Sequence, residues 1–205
     1  MRRRSWNGAK LAIGIGVLLL VTVVSAVAGW GTLREIGEGS GRSAVQDYLA
    51  GDGHRFRSDD GGFAVLLPEV PEERVSTIDL ADGATEIRGV QASLGDDRKV
   101  RVSWLDLESS PTADEAAFVL PAVAVFVGQD VESTPTEGAM REGTEHPTYD
   151  FVLEVLGDPA VEQPTTVVDA RLILVESRIF LFRVEGTDLA PEILDFVATE
   201  FELRS

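Results

Sequence analysis

The chain has 205 residues, 44% of them hydrophobic, with no cysteine and a formal net charge of −17 from 35 acidic and 18 basic side chains. That length suffices for one ordinary domain, and the missing cysteines exclude disulfides, thiolate metal ligands, a cysteine nucleophile and an acylated cysteine anchor. Arg2, Arg3, Arg4 and Lys10 are the only charged residues before Arg34, so the remainder sets 14 basic against 35 acidic groups, a net −21, and such a body repels nucleic-acid phosphates.

Residues 1–10 form a basic head, and from Leu11 to Trp30 twenty residues pass without a charge. At ~1.5 Å of rise per residue a helix of that length spans ~30 Å, the hydrocarbon thickness of a bilayer. Trp30 falls where an interfacial aromatic belongs, and the basic head outweighs Arg34 and Arg42 beyond the span. The expectation is therefore a single-pass transmembrane signal-anchor at 11–30 in the cell membrane, with a cytoplasmic N-terminus and the C-terminal body outside. The competing expectation is a cleaved signal peptide. Leu11 to Val24 has the length of an apolar h-region, and Ala26-Val27-Ala28 offers a cleavage site before Gly29 that would yield a secreted body. Ala12/Gly16 and Ser25/Gly29 repeat the small-xxx-small spacing of dimerising membrane helices, which allows a weak homodimer.

Residues 31–55 mix Gly, Ser and charges as a tether does, and the body proper is assigned to 56–205. Within the tether, Ser43 to Ala50 predicts a short helix capped by Ser43 and stopped by Gly51, too short to hold without a surface to pack on. A flexible tether of this length reaches roughly 25–30 Å. Anionic headgroups repel the acidic body and keep it off the lipid.

In the body, Phe63, Val65 and Leu67 alternate onto one face of a strand that Pro68 and Pro71 terminate. Val75 to Leu80 alternates next, and Asp82-Gly83 supplies a two-residue hairpin turn. The returning run from Thr85 to Leu94 changes parity between Ile87 and Val90, which predicts a β-bulge at Gly89. After a turn at Gly95-Asp96-Asp97, Lys99 to Trp104 sends Val100, Val102 and Trp104 inward and Lys99, Arg101 and Ser103 outward, as in a meander with one wet face. Thr112-Ala113-Asp114-Glu115 matches a capping box. The twelve residues Ala116 to Val127 are all apolar, too few for a membrane span, and Pro121 interrupts them. The expectation for 113–127 is a buried, kinked helix that closes a core or lines a cleft beside Phe118 and Phe126.

The acidic stretch 129–146 predicts a loop or a weak edge strand. Three more strands follow, from Tyr149 to Val155, from Val167 to Val175, and through Phe180, Phe182 and Val184 after a turn at Glu176-Ser177. The second is apolar on both parities apart from Asp169 and Arg171, the pattern of a strand covered on both faces. A closing helix from about Leu189 to Phe201, capped by Asp188, aligns Leu189, Ile193, Phe196, Val197 and Phe201. Together the elements predict an α+β domain, an antiparallel β-sheet with two or three helices packed on it.

The opening Gly-Gly-Phe-Ala-Val-Leu-Leu-Pro-Glu-Val-Pro (61–71) leads into a meander and a helix entered through Ala113-Asp114-Glu115. A strand group ending in Arg178-Ile179-Phe180-Leu181-Phe182 and a last helix with Phe196 and Phe201 complete the order. Over residues 55 to 205 this order resembles bacterial exported domains of the PsbP-like fold. The resemblance implies an α/β/α sandwich. It also implies roles found there: accessory subunits of membrane complexes, partner-binding proteins, or lipoproteins that handle hydrophobic ligands. It carries over no catalytic residues, and this chain departs from the lipoprotein members in having no cysteine for a lipid.

The two histidines, His54 and His146, stand in no H-x-x-x-H or H-E-x-x-H spacing, so no metal site is expected. There is no G-x-S-x-G elbow and no G-x-G-x-x-G or G-x-x-x-x-G-K-[ST] cradle, so neither catalytic residues nor a cofactor follows. Asp59-Asp60 and Asp96-Asp97 lie outside any calcium-loop pattern and predict solvated turns. Arg98, Lys99 and Arg101 predict the wet face of an edge strand, with pairing to the acidic stretch 129–146 as the other reading. The expected role is a non-enzymatic interaction or accessory module that binds an envelope protein. Alternatives are binding of a lipid or small apolar ligand along Ala116 to Val127, and an extracytoplasmic hydrolase built from converging Asp, Glu, His and Ser side chains.

Overall fold

Strand pairing sorts the body into two antiparallel sheets in the computed structural model, which describes residues 40–80, 83–95, 97–130, 133–157 and 165–204. The expected membrane segment 11–30 and its basic head lie outside the described residues, and among the described residues no helix is long and apolar enough to cross a membrane. Helix α1 (Ser40–Leu49) leads into β1 (His54–Ser58), β2 (Phe63–Leu67), β3 (Glu72–Leu80), β4 (Gly83–Leu94) and β5 (Arg98–Asp106). Then come α2 (Ala113–Asp130), β6 (Pro135–Met140), β7 (Thr148–Val155), β8 (Thr166–Val175), β9 (Arg178–Gly186), α3 (Pro191–Thr199) and β10 (Glu202–Leu203).

The larger sheet has seven strands in the order β3-β4-β5-β9-β8-β7-β6, and the smaller has β1-β2-β10. Two meanders, β3 to β5 and β6 to β9, meet where β5 pairs β9, with α2 as the connection between them. One face of the seven-stranded sheet carries Val90, Val100, Val102, Trp104, Phe180 and Phe182 under α1, α3 and the small sheet. The other carries Ile87, Leu105, Leu153, Ala170, Leu172 and Leu181 under α2. This is the α+β arrangement the pattern predicts, and it puts α2 on the opposite side of the sheet from α1 and α3.

The two covered faces explain the parity change in β4. Ile87 joins the core under α2 while Val90, Ala92 and Leu94 join the other, so both parities are apolar without a bulge. Gly89 stays in register, opposite Arg74 on β3 and Ser103 on β5. Glycine is needed there because an added Cβ would collide with Ser103 Oγ. The expected turn also shifts, since Gly83 is already in the ladder opposite Leu80.

Strand β5 is not an edge strand. It lies between β4 and β9, and Arg98 falls on the opposite parity from Lys99 and Arg101, so the expected basic face is divided between two surfaces. Arg98 bonds Asp188, which therefore does not cap the last helix. That helix starts later, with Pro191 in its first turn and Ala190 as an N-cap whose own side chain caps nothing, because proline's fixed φ favours a helix start. Phe201 lies beyond its end. The acidic stretch contributes β6, an edge strand.

Part of the expected tether belongs to the folded body. Helix α1 begins at Ser40, so Ser43 lies within it rather than capping it, and Gly51 follows at φ 94°. The surface a short helix requires is present: Tyr48 is buried, its hydroxyl donates to the Leu66 carbonyl at 2.9 Å, and its ring meets Phe196 edge-on at 5.0 Å. Burial pushes the Tyr48 phenol well above its ordinary range, with Glu200 adding to the effect. Arg178 fastens the loop between β1 and β2 to the large sheet, with two bonds to Asp106 at 2.6 and 3.0 Å and one to the Gly61 carbonyl at 2.7 Å.

Candidate functional site

Helix α2 starts where its capping box predicts. Thr112 N–H donates to Glu115 Oε2 at 2.8 Å, and Glu115 N–H donates to Thr112 Oγ1 at 3.3 Å. The Thr112 backbone and hydroxyl donors hold the Glu115 carboxyl below the usual range, because they favour its charged form. The helix then runs through Pro121 to Asp130. Ala116, Leu120, Val123, Ala124 and Val127 are buried against the sheet.

The expectation of a wholly buried helix fails on the other side. Only one layer covers α2, so Ala117, Phe118, Ala122 and Val125 face outward, with Phe118 78% and Val125 43% exposed. From Ala116 to Gly128 the helix carries no charge. Its ends are acidic, with Asp114 and Glu115 in the first turn and Asp130 at the last position. The helix dipole adds partial negative charge at the C-terminal end. Fully burying a phenylalanine is worth about 1.5–3 kcal/mol, and that gain is forgone at Phe118 on the outer side of α2.

A second feature lies on the opposite face. A groove of about 480 Å³ runs between α3 and strands β6 to β8, and Arg171, only 7% exposed in its side chain, sits in it. Arg171 donates to both Asp150 oxygens, at 2.6 and 3.0 Å, and to Asp195 Oδ1 at 2.7 Å, while Arg141 reaches the same Asp195 oxygen at 3.0 Å. Burial opposes the charge on Arg171, but its bonds to the two carboxylates prevail and raise its pKa. Burial likewise pushes Asp195 up, and the bonds from Arg171 and Arg141 outweigh it, leaving the carboxyl below its usual range.

Asp169 behaves in the opposite way. Burial raises it, against the bond it accepts from Ala190 N–H, and Glu192 and Asp150 add to the rise. The folded state therefore holds the Asp169 proton more readily than the unfolded chain. Its contribution to stability is greatest below the ordinary carboxylate pKa and falls as pH rises through the raised one. Asp169→Asn should then be at least as stable as the parent at neutral pH, with the difference closing in acid, in urea titrations across pH. Asp169→Ala orphans the Ala190 N–H and should cost about 1–3 kcal/mol. A pH-independent difference for Asp169→Asn would contradict this assignment.

The histidines and paired carboxylates singled out in the sequence do not converge. His54, at the start of β1, is exposed, His146 is half-buried, and neither lines this groove or the neighbouring cavities. Asp59 pairs with Arg204 at 3.0 Å, Asp60 pairs with Arg88, and Asp97 lies 3.5 Å from Arg98. Among the described residues no three His, Asp or Glu side chains are grouped as metal ligands would be. Phe118 and Phe126 line none of these cavities, each of which has charged side chains in its walls. No known family profile matches the chain, and no curated protein matches it.

Proposed function

We propose that the chain is a membrane-anchored, extracytoplasmic domain of the PsbP-like α/β/α type, acting as a non-enzymatic interaction module of the cell envelope through the outer face of α2. The observation that carries the reading is the exposed, uncharged stripe Phe118, Ala122 and Val125 on a helix whose other side is fully used by the core. The uncharged segment 11–30 supports the anchor, and the helix–sheet–helix layering supports the fold type.

The stripe favours a protein helix with an apolar face flanked by Lys or Arg. Alanines at 117 and 122 let a second helix approach closely, and the acidic ends of α2 attract basic flanks. A bilayer suits it less, because interfacial helices carry Lys and Arg on their polar face and α2 has neither. A second copy would set acidic ends against acidic ends in two bodies that already repel.

The test is a photoreactive amino acid placed singly at 118, 125 or the exposed position Glu176 of the full-length chain, with irradiation of intact cells. Positions 118 and 125 should yield one protein adduct whose cross-linked peptide is an apolar helix with basic flanks, and position 176 should not. Lipid or small-molecule adducts at 118 would instead support the apolar-ligand reading, and equal labelling at all three positions would dismiss both.

A further inference from the structure

Strand β6 is one edge of the seven-stranded sheet, and Thr136 to Met140 are all exposed. The other edge, β3, carries Glu72, Glu73, Arg74 and Asp79, and charges of this kind keep a free edge from pairing. β6 has one charge, Glu137, and none from Gly138 to Met140. Its regular part begins after the register shift between Pro135 and Glu137. Arg141 extends the ladder, its N–H donating to the Thr148 carbonyl at 2.9 Å. Bonded and non-bonded pairs alternate in an antiparallel ladder. Glu137, Ala139 and Arg141 therefore turn their main-chain groups to β7, and Gly138 and Met140 turn theirs to the open edge.

The side chains along this edge complement themselves. In an antiparallel two-fold pairing centred on Ala139, Gly138 faces the partner's Met140, and the two exchange both of their main-chain hydrogen bonds. A Cβ on Gly138 would collide with the Tyr149 hydroxyl, and Met140 is 37% exposed. The glycine thus leaves room for the partner's Met140 to lie along the Tyr149 ring, a contact that sulfur favours. On the other face of the strand, the same pairing sets Glu137 opposite the partner's Arg141. Glu137 has no ion-pair partner among the described residues. Arg141 contacts Asp195 through Nη1 and Asp150 through Nε, leaving Nη2 for a carboxylate across the edge. Centring the pair on Gly138 or Met140 instead would set Glu137 against Ala139 or Gly143 and lose this match.

We propose that β6 is a homodimer edge: two copies of this chain pair through it about a two-fold axis at Ala139 and join their seven-stranded sheets into one. Such an interface uses the same patch on both copies. The net charge of −17 opposes the encounter, so the dimer is weak, and the Glu137–Arg141 pairs set its register. The proposal is independent of the docking reading, which concerns the outer face of α2.

The chain has no cysteine of its own, so single substitutions report the register directly. At the axis the two Ala139 positions form a non-hydrogen-bonded pair with α-carbons about 4.5 Å apart, within disulfide reach. In the full chain, in neutral detergent under mild oxidation, Ala139→Cys should link to itself at least roughly tenfold faster than Ser76→Cys on the exposed β3 edge. Glu137→Cys and Arg141→Cys should link when mixed, and neither alone. Met140→Pro removes an N–H that β7 does not use, a place where an edge strand tolerates proline. Added to Ala139→Cys, it should bring linking down to the Ser76→Cys rate with the unfolding midpoint unchanged. Should Met140→Pro not fold, Glu137→Lys should slow the Ala139→Cys link instead. Equal rates at 139 and 76, or a fast link at 139 that survives these substitutions, overturns the proposal. So does self-linking of Glu137→Cys as fast as the mixture, which would mean a different pairing.

Discussion

Phe63→Ala is expected to destabilise the body by about 3–5 kcal/mol in equilibrium denaturation, the cost of truncating a fully buried phenylalanine. Phe63 is 0% exposed and stands on the middle strand of the small sheet. Its ring centroid lies 5.2 Å from Trp104, 5.7 Å from Phe180 and 5.3 Å from Phe201. Trp104 and Phe180 belong to the large sheet and Phe201 follows α3, so one ring joins three parts of the core. Whole domains are stable by only about 5–15 kcal/mol, and the loss would leave little margin. A cost under about 1 kcal/mol would mean that the aromatic cluster does not hold the two sheets together.

Arg171→Ala should be the most damaging of the charge substitutions, at about 2–4 kcal/mol. Removing one partner of a buried pair costs about 3–5 kcal/mol. The value is discounted because the Asp150 and Asp195 side chains keep 34% and 55% of their exposure, and water can solvate the carboxylates left behind. A double-mutant cycle with Asp150→Ala should return a coupling of about 1 kcal/mol or more. A coupling near zero would show that the bidentate contact does not anchor β7 to β8.

Local chemistry was readable wherever one short stretch carried the whole signal. The reciprocal bonds of Thr112 and Glu115 are a four-residue pattern, and the alternation of Val100, Val102 and Trp104 matches their burial. Asp169 and Arg171 stand out in the sequence as the two charges of an apolar strand, but nothing in the sequence ties them to the groove between α3 and the sheet. The partners of Arg171 were not readable, because Asp150 and Asp195 lie 21 and 24 residues away and reach it only when β7 pairs with β8 and α3 packs over the sheet. The interior place of β5 and the regular pairing at Gly89 depend on which strands flank which, and parity alone does not encode that. β1 was missed for a related reason: His54-Arg55-Phe56-Arg57-Ser58 has one apolar residue and is recruited by pairing with β2. The composition of α2 was plain, but an all-apolar helix is ordinarily buried, and its exposure follows from having a single covering layer.

If Phe118 serves a partner and not the core, Phe118→Ser in the full-length chain is the most direct test. The expected result is an unfolding free energy within about 0.5 kcal/mol of the parent, as for other surface positions, together with loss of the protein adduct formed from a photoreactive group at 125. A destabilisation of about 3 kcal/mol, the scale of an emptied core site, or an undiminished adduct from 125, would contradict a docking role for this face of α2.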